Sequence, residues 1–118
     1  MRPLLFDDTA LLALFAAHVP VSRMWERAEA ERRPILVPAG AVFAVNAQMR
    51  AAEQAWDAIL GADHVTALDL TPSRALAASA YSWDVAVGHA AVEARDVDAT
   101  IVTARWGTYD PLLRVARF

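Results

Sequence analysis

Two aspartates and a threonine stand together near the start of the chain, directly after a short apolar run. Residues 2–6 predict a β-strand, Asp7, Asp8 and Thr9 follow it, and residues 10–17 predict an apolar helix. A carboxylate at the end of a strand is a good ligand for a hard cation, and with further oxygens it could hold Mg²⁺ or Mn²⁺ for phosphodiester hydrolysis. In the alternative interpretation Asp8 and Thr9 only cap the helix. We therefore expect Asp8 to be a cap and retain Asp7 as a site candidate.

The elements that must position these side chains follow from the hydrophobic pattern. Further strands are predicted at residues 34–38, 64–70, 99–103 and 112–118, the last at an edge. Helices are predicted at residues 21–33, 39–50, 52–60, 71–83 and 84–94, with a charged loop at 95–98. This alternation predicts one domain over residues 1–118, a three-layer α/β/α sandwich with a mostly parallel central sheet. In that sheet the strand ending before Asp7 should lie beside the strand ending at Thr103.

Composition restricts the chemistry. The chain has no cysteine, which excludes disulfides and thiolate sites and favours the cytoplasm, and all of its 11 basic residues are arginine. The net charge of −3 gives no overall attraction for nucleic acid, so an RNA-binding role would need a local patch. The apolar run at residues 10–17 is too short to span a bilayer, and we expect no association with a membrane.

The order of these motifs carries a resemblance to a known family. The sequence Leu-Leu-Phe-Asp7-Asp8-Thr9-Ala-Leu-Leu-Ala resembles the opening motif of PIN domains, the family of the VapC-like bacterial toxin nucleases. Ile-Leu-Val-Pro-Ala at 35–39 resembles the second strand, and the helix that starts with Asp84 is similar to the one that carries the third acid of the family. The resemblance implies that Asp7 and Asp84 are catalytic metal ligands for Mg²⁺ or Mn²⁺, with Thr9 as the hydroxyl partner.

Two positions depart from the family pattern. Ala44 stands where the family has a helical glutamate, and Asn46 lies about 200° away around the helix, which makes it a poor substitute. Arg105 stands where a fourth acid often occurs. If its guanidinium reached Asp7 or Asp84 it would place a fixed cation in the metal position, and if it pointed outward it would not. The departures predict an incomplete acidic site.

Two function classes remain open. One is an active Mg²⁺- or Mn²⁺-dependent endoribonuclease of a toxin–antitoxin pair. The other is a domain of the same descent with weak or lost nuclease activity that binds a protein or RNA. The resemblance also implies a small antitoxin-like partner and a homodimer, and we expect self-association through the helix at 10–17 or a neighbour carrying Trp25 or Trp56.

Other candidates are weaker. His89 lies about 140° around the helix from Asp84, so the two do not form a dyad, and we expect a surface or core histidine. His18 and His64 lack ligand spacing. The four tryptophans are expected in the core or at an interface, with only Trp106 placed to stack on a base.

An aspartate pair after a first strand also occurs in receiver domains and haloacid-dehalogenase-type phosphatases. Both use a lysine, which this chain lacks, and the phosphatases also need an Asp-x-Asp motif. Both are set aside.

Overall fold

The fold is built on five parallel strands. The structure, a computed structural model, describes residues 1–118. Its strands are β1 (Leu4–Phe6), β2 (Ile35–Pro38), β3 (Val65–Leu68), β4 (Thr100–Thr103) and β5 (Arg114–Arg117). They lie in the order β3-β2-β1-β4-β5, and each neighbouring pair is parallel. The prediction that the strand before Asp7 lies beside the strand ending at Thr103 is confirmed.

Six helices complete the three layers. They are α1 (Asp8–Phe15), α2 (Val19–Glu31), α3 (Ala39–Met49), α4 (Glu53–Leu60), α5 (Pro72–Ser79) and α6 (Val85–Val97). Leu4 and Phe6 of β1 point into a core shared with α1–α4, whereas Leu5 points into a second core lined by α6. Successive strand residues face opposite sides, so this short buried strand joins both cores. No helix has the length and apolar character needed to cross a membrane.

The boundary between α5 and α6 differs from the sequence prediction. α5 ends at Ser79 rather than residue 83, because the chain turns closely against α6: a Cβ atom on Gly88 would lie 2.6 Å from the carbonyl oxygen of Ala78. The predicted charged loop at 95–98 is wrong, since α6 continues to Val97 and ends only where Asp98 adopts a left-handed φ of 52°.

The charges that suggested a loop lie on the surface of α6 instead. Arg74 of α5 donates from Nε to Glu93 Oε1 at 2.9 Å and from Nη2 to Asp96 Oδ2 at 2.6 Å. Glu93 and Asp96 are three residues apart and therefore share one helix face. The acidic residues near the end of α6 therefore form ion pairs with α5 and do not indicate a loop.

Two of the four tryptophans belong to the core. Trp25 packs edge-on against Phe6 with ring centroids 5.9 Å apart, and Trp56 is buried, its Nε1 donating to Asn46 Oδ1 at 3.0 Å. Trp83 and Trp106 are 95% and 77% exposed. Trp25 and Trp56 therefore occupy the expected core positions, whereas Trp83 and Trp106 lie on the surface.

A buried histidine joins α6 to the start of α3. His89 is fully buried, and its Nδ1 accepts the backbone N–H of Gly40 at 3.2 Å, which leaves the proton of a neutral ring on Nε2. Nε2 lies 3.4 Å from Glu93 Oε1 but makes no hydrogen bond, and the backbone of Asp69 and the guanidinium of Arg74 also influence the pKa of the ring. Burial lowers the pKa of His89 below 6.5, against the opposing effect of Glu93.

This arrangement predicts an acid-sensitive fold. Because the folded pKa of His89 is lowered, the unfolded chain takes up the proton first as the pH falls below about 6.5, so the free energy of unfolding decreases from that pH downward. His89→Asn retains an acceptor and does not titrate. Between about pH 7 and pH 5, the free energy of unfolding measured by urea denaturation should fall by roughly 1 kcal/mol more for the wild type than for the variant. An equal pH dependence in both proteins would contradict this role of His89.

Candidate functional site

The site begins where β1 passes into α1. Asp7 has extended backbone angles (φ −78°, ψ −178°), and its Oδ1 accepts the backbone N–H of Ala10 at 3.0 Å, so Asp7 is the N-cap of α1. Thr9 Oγ1 donates to the same oxygen at 2.6 Å. The expectation that Asp8 caps the helix is therefore wrong. Asp8 lies in the first turn, and its carboxylate points toward the loop after β4.

The second oxygen of Asp7 accepts two hydrogen bonds from that loop. Arg105 Nη1 donates to Asp7 Oδ2 at 3.0 Å, and the Tyr109 hydroxyl donates to the same atom at 2.9 Å. The Asp7 residue is completely buried, so these hydrogen bonds replace the water that an exposed carboxylate would bind. Burial, together with the negative charge of Asp7, raises the pKa of Tyr109, which keeps the phenol protonated and able to donate.

Arg105 also pairs with Asp8 through two parallel hydrogen bonds. Nη2 donates to Asp8 Oδ2 at 2.9 Å and Nη1 donates to Asp8 Oδ1, while Asp8 is only 6% exposed. The guanidinium of Arg105 therefore points inward and bridges both carboxylates. Its hydrogen bonds with Asp8, and the negative charges of Asp8 and Asp7, raise the pKa of Arg105 further above its ordinary value. We call the four residues Asp7, Asp8, Arg105 and Tyr109 the arginine cluster.

Thr9 in the first turn of α1 and Thr103 at the end of β4 hold the loop of Arg105 in place. Thr9 Oγ1 accepts the backbone N–H of Ala104 at 2.9 Å, and Thr103 Oγ1 accepts that of Arg105 at 3.0 Å. The two hydroxyls are 3.3 Å apart. Because β1 and β4 are paired, the loop that carries Arg105 leaves the sheet directly beside Asp7. Thr9 thus orients the arginine as well as the aspartate.

The remaining predicted positions lie outside the arginine cluster. Asp84 is the exposed N-cap of α6, and its Oδ1 accepts the backbone N–H of Val87 at 3.2 Å. No hydrogen bond or ion pair joins Asp84 to Asp7 or Arg105. Ala44 is half-buried on α3 and contributes no polar atom. The structure brings Asp7, Thr9 and Arg105 together and leaves Asp84 as a helix cap.

The residues present do not fit a divalent cation. Both oxygens of Asp7 and both oxygens of Asp8 already accept hydrogen bonds, three of them from Arg105. No group of three or more histidine or acidic side chains has a geometry that could hold a metal ion. A hydrated dication needs several free oxygens and negative charge, and here a guanidinium lies between the two carboxylates.

Sequence reasoning missed two members of this site, Tyr109 and Thr103. The hydrogen bond of Tyr109 to Asp7 depends on the irregular path of residues 104–113, which no periodic pattern predicts. Thr103 was treated as the end of a strand. The available signal was its place at the carboxyl end of β4, next to β1, where polar side chains converge in parallel sheets.

Comparison with solved structures identifies a close match in architecture. One chain of the crystal structure of VapBC2 from Rickettsia felis, bound to a DNA fragment from its promoter, superposes with a TM-score of 0.70. The alignment covers 99% of this chain and 99% of that chain at 12% sequence identity, a likeness that shows the fold alone. No family model matches the sequence, and no curated protein matches it. The fold is therefore PIN-like, as the motif order implied.

Proposed function

We propose that this protein is a PIN-like domain related to toxin-type endoribonucleases, with weak or lost nuclease activity, that acts by binding a protein partner. The observation that carries the proposal is the position of Arg105. Its guanidinium lies within hydrogen-bonding distance of both Asp7 and Asp8, where a metal-dependent nuclease needs free carboxylate oxygens. Ala44 provides no compensating charge. The cluster is thereby a structural ion network instead of a cation site.

The surface favours a protein partner over an RNA partner. The net charge of −3 opposes binding to phosphate, and several large apolar side chains are exposed. Phe43, Leu76 and Trp83 are each at least three-quarters exposed, and they lie on α3, on α5 and before α6. Exposed apolar side chains of this size favour protein contacts. The Rickettsia felis structure is itself a VapBC2 assembly, which supports a small antitoxin-like protein as the kind of partner.

A cleavage assay tests the loss of activity. Wild type and Asp7→Asn are incubated with a fluorogenic RNA in the presence of Mn²⁺ or Mg²⁺. We expect the two proteins to give the same background rate, because the carboxylate of Asp7 is already bound by Arg105 and Tyr109. Metal-dependent cleavage by the wild type that disappears in Asp7→Asn would support the alternative, an active endoribonuclease toxin.

We also propose that the protein forms a homodimer, through a surface other than the one the sequence suggested. The apolar side chains of α1 pack against the core, and Trp56 is only 9% exposed. Phe43 on α3 and Trp83 beside the start of α6 are the exposed alternatives, and these two helices pack together near Gly40 and Val85.

Light scattering at high micromolar concentration should show a dimer for the wild type and a monomer for the double variant Phe43→Glu with Trp83→Glu. Leu112→Glu, at an apolar position that is 91% exposed in the loop before β5, serves as the control and should stay dimeric. A wild type that remains monomeric would contradict the dimer.

A further inference from the structure

A groove lies between α2 and the face of β1, β4 and β5. Its volume is about 500 Å³, and none of its lining residues belongs to the arginine cluster. Its apolar lining is Leu4, Met24, Ala28, Val102 and Ala116, together with Pro20. Ala116 stands opposite Val102 in the parallel register, and β5 is the edge strand, so a small side chain leaves this part of the sheet open.

Three arginines without acidic partners line the same groove. Arg23 and Arg27 are four residues apart on α2 and share a face, and Arg33 lies just beyond that helix. None of the three forms an ion pair, and the only side-chain hydrogen bond among them joins Arg33 Nε to the carbonyl oxygen of Arg2. Glu31 also lines the groove without pairing with them.

Five other arginines are neutralised: Arg2, Arg74 and Arg114 each bind at least one carboxylate, as do Arg95 and Arg105. Arg32, Arg50 and Arg117 also form no ion pair, but none of them lines this groove. A molecule with net charge −3 therefore keeps three unneutralised guanidinium groups around one apolar cleft. Such an arrangement complements a ligand that carries negative charges and apolar groups together.

The lining favours a peptide over a nucleic acid. Single-stranded nucleic acid is held by aromatic rings that stack on the bases, and no aromatic residue lines this groove. The small apolar floor suits aliphatic side chains, and the edge strand β5 offers unpaired backbone groups beside it.

From this combination we infer that the groove between α2 and β5 docks an acidic, amphipathic segment of a partner protein. The inference rests on the proposed protein-binding function and specifies the chemistry of the partner. Aspartates or glutamates of the segment pair with Arg23, Arg27 and Arg33, and its leucine-like side chains cover Met24 and Val102. The arginine cluster takes no part in this contact.

Fluorescence anisotropy with a labelled dodecapeptide composed only of glutamate and leucine tests the inference. The wild type should bind it with an affinity that falls as salt is added, because exposed charge pairs are screened. The double variant Arg23→Glu with Arg27→Glu should bind at least about tenfold more weakly. The matched control is Arg32→Glu with Arg50→Glu, which changes the net charge equally at two exposed arginines that form no ion pairs. It should keep most of the affinity.

Three companion probes make the outcome decisive. A lysine–leucine peptide of the same pattern and an all-glutamate peptide should both bind more weakly than the glutamate–leucine peptide. A labelled oligouridylate that bound as tightly, with the same sensitivity to Arg23 and Arg27, would overturn the peptide assignment. Absence of binding, or equal loss in the control variant, would overturn the groove itself. RNA cleavage by the wild type with peptide binding intact would instead overturn only the proposed loss of nuclease activity.

Discussion

Replacing Arg105 by methionine is expected to lower the free energy of unfolding by roughly 3 kcal/mol, since removal of one partner from a buried ion network leaves charge uncompensated. Asp7 is completely buried and Asp8 is 6% exposed, so neither carboxylate regains much hydration when the guanidinium is lost. The side chain of Arg105 is 21% exposed, so the loss in free energy of unfolding should lie at the lower end of the range for broken buried ion pairs. In a domain of this size the melting temperature should fall by about 10–20 °C.

A surface ion pair provides the matched control. Arg114 Nε lies 3.2 Å from Asp98 Oδ1, and both side chains are more than half exposed, so Arg114→Met should cost less than about 1 kcal/mol. A double-mutant cycle between Asp8→Asn and Arg105→Met should show a coupling energy above about 1 kcal/mol, because the two side chains contact each other directly. Equal, small effects of Arg105→Met and Arg114→Met would show that the cluster does not stabilise the fold.

The second large effect is the creation of a cation site. Ala44→Glu combined with Arg105→Asp replaces a neutral and a positive group by two negative ones, a change of three charge units, of which the two at position 105 lie beside Asp7 and Asp8. At ~4 Å and an effective dielectric of ~20, each unit interaction amounts to about 4 kcal/mol before screening. Solvent reduces this, yet calorimetric titration should still show Mn²⁺ affinity at least about tenfold above that of the wild type.

Thermal unfolding checks the same variant independently. Without metal, the double variant should be less stable than the wild type, because several carboxylates then lie together without a cation. Added Mn²⁺ should raise its melting temperature and leave that of the wild type unchanged, since a ligand that binds only the folded state stabilises it. Arg105→Met, which removes the cation without adding a carboxylate, separates loss of the arginine from gain of the acids. Equal Mn²⁺ affinity in the wild type and the double variant would contradict the role of Arg105.

The sheet could be predicted because its strands are short, apolar and separated by helical patterns. The prediction that β1 lies beside β4 holds because both strands are buried on two faces and connect through helices. The boundaries of α5 and α6 were harder to predict from the sequence. They depend on contacts between residues distant in sequence, such as Gly88 with Ala78 and Arg74 with Glu93, which no local pattern records.

Only part of the candidate site was predictable, because Asp7 and Thr9 belong to it whereas Asp84 caps α6 elsewhere. The place of Asp7 after an apolar strand located the carboxyl edge of the sheet. Whether Arg105 pointed inward could not be decided, because its direction is set by the hydroxyls of Thr9 and Thr103 acting on a loop backbone. Helical periodicity likewise could not predict the burial of His89 or its hydrogen bond to Gly40, since both depend on how closely α3 approaches α6.

The central claim is that Arg105, instead of a divalent cation, neutralises Asp7 and Asp8. A crystal of the wild type grown with excess Mn²⁺, with data collected at the manganese absorption edge, tests it most directly. We predict no anomalous peak beside Asp7 and density for the Arg105 guanidinium between the two carboxylates. An anomalous peak within coordination distance of Asp7, with Arg105 turned toward solvent, would contradict the account.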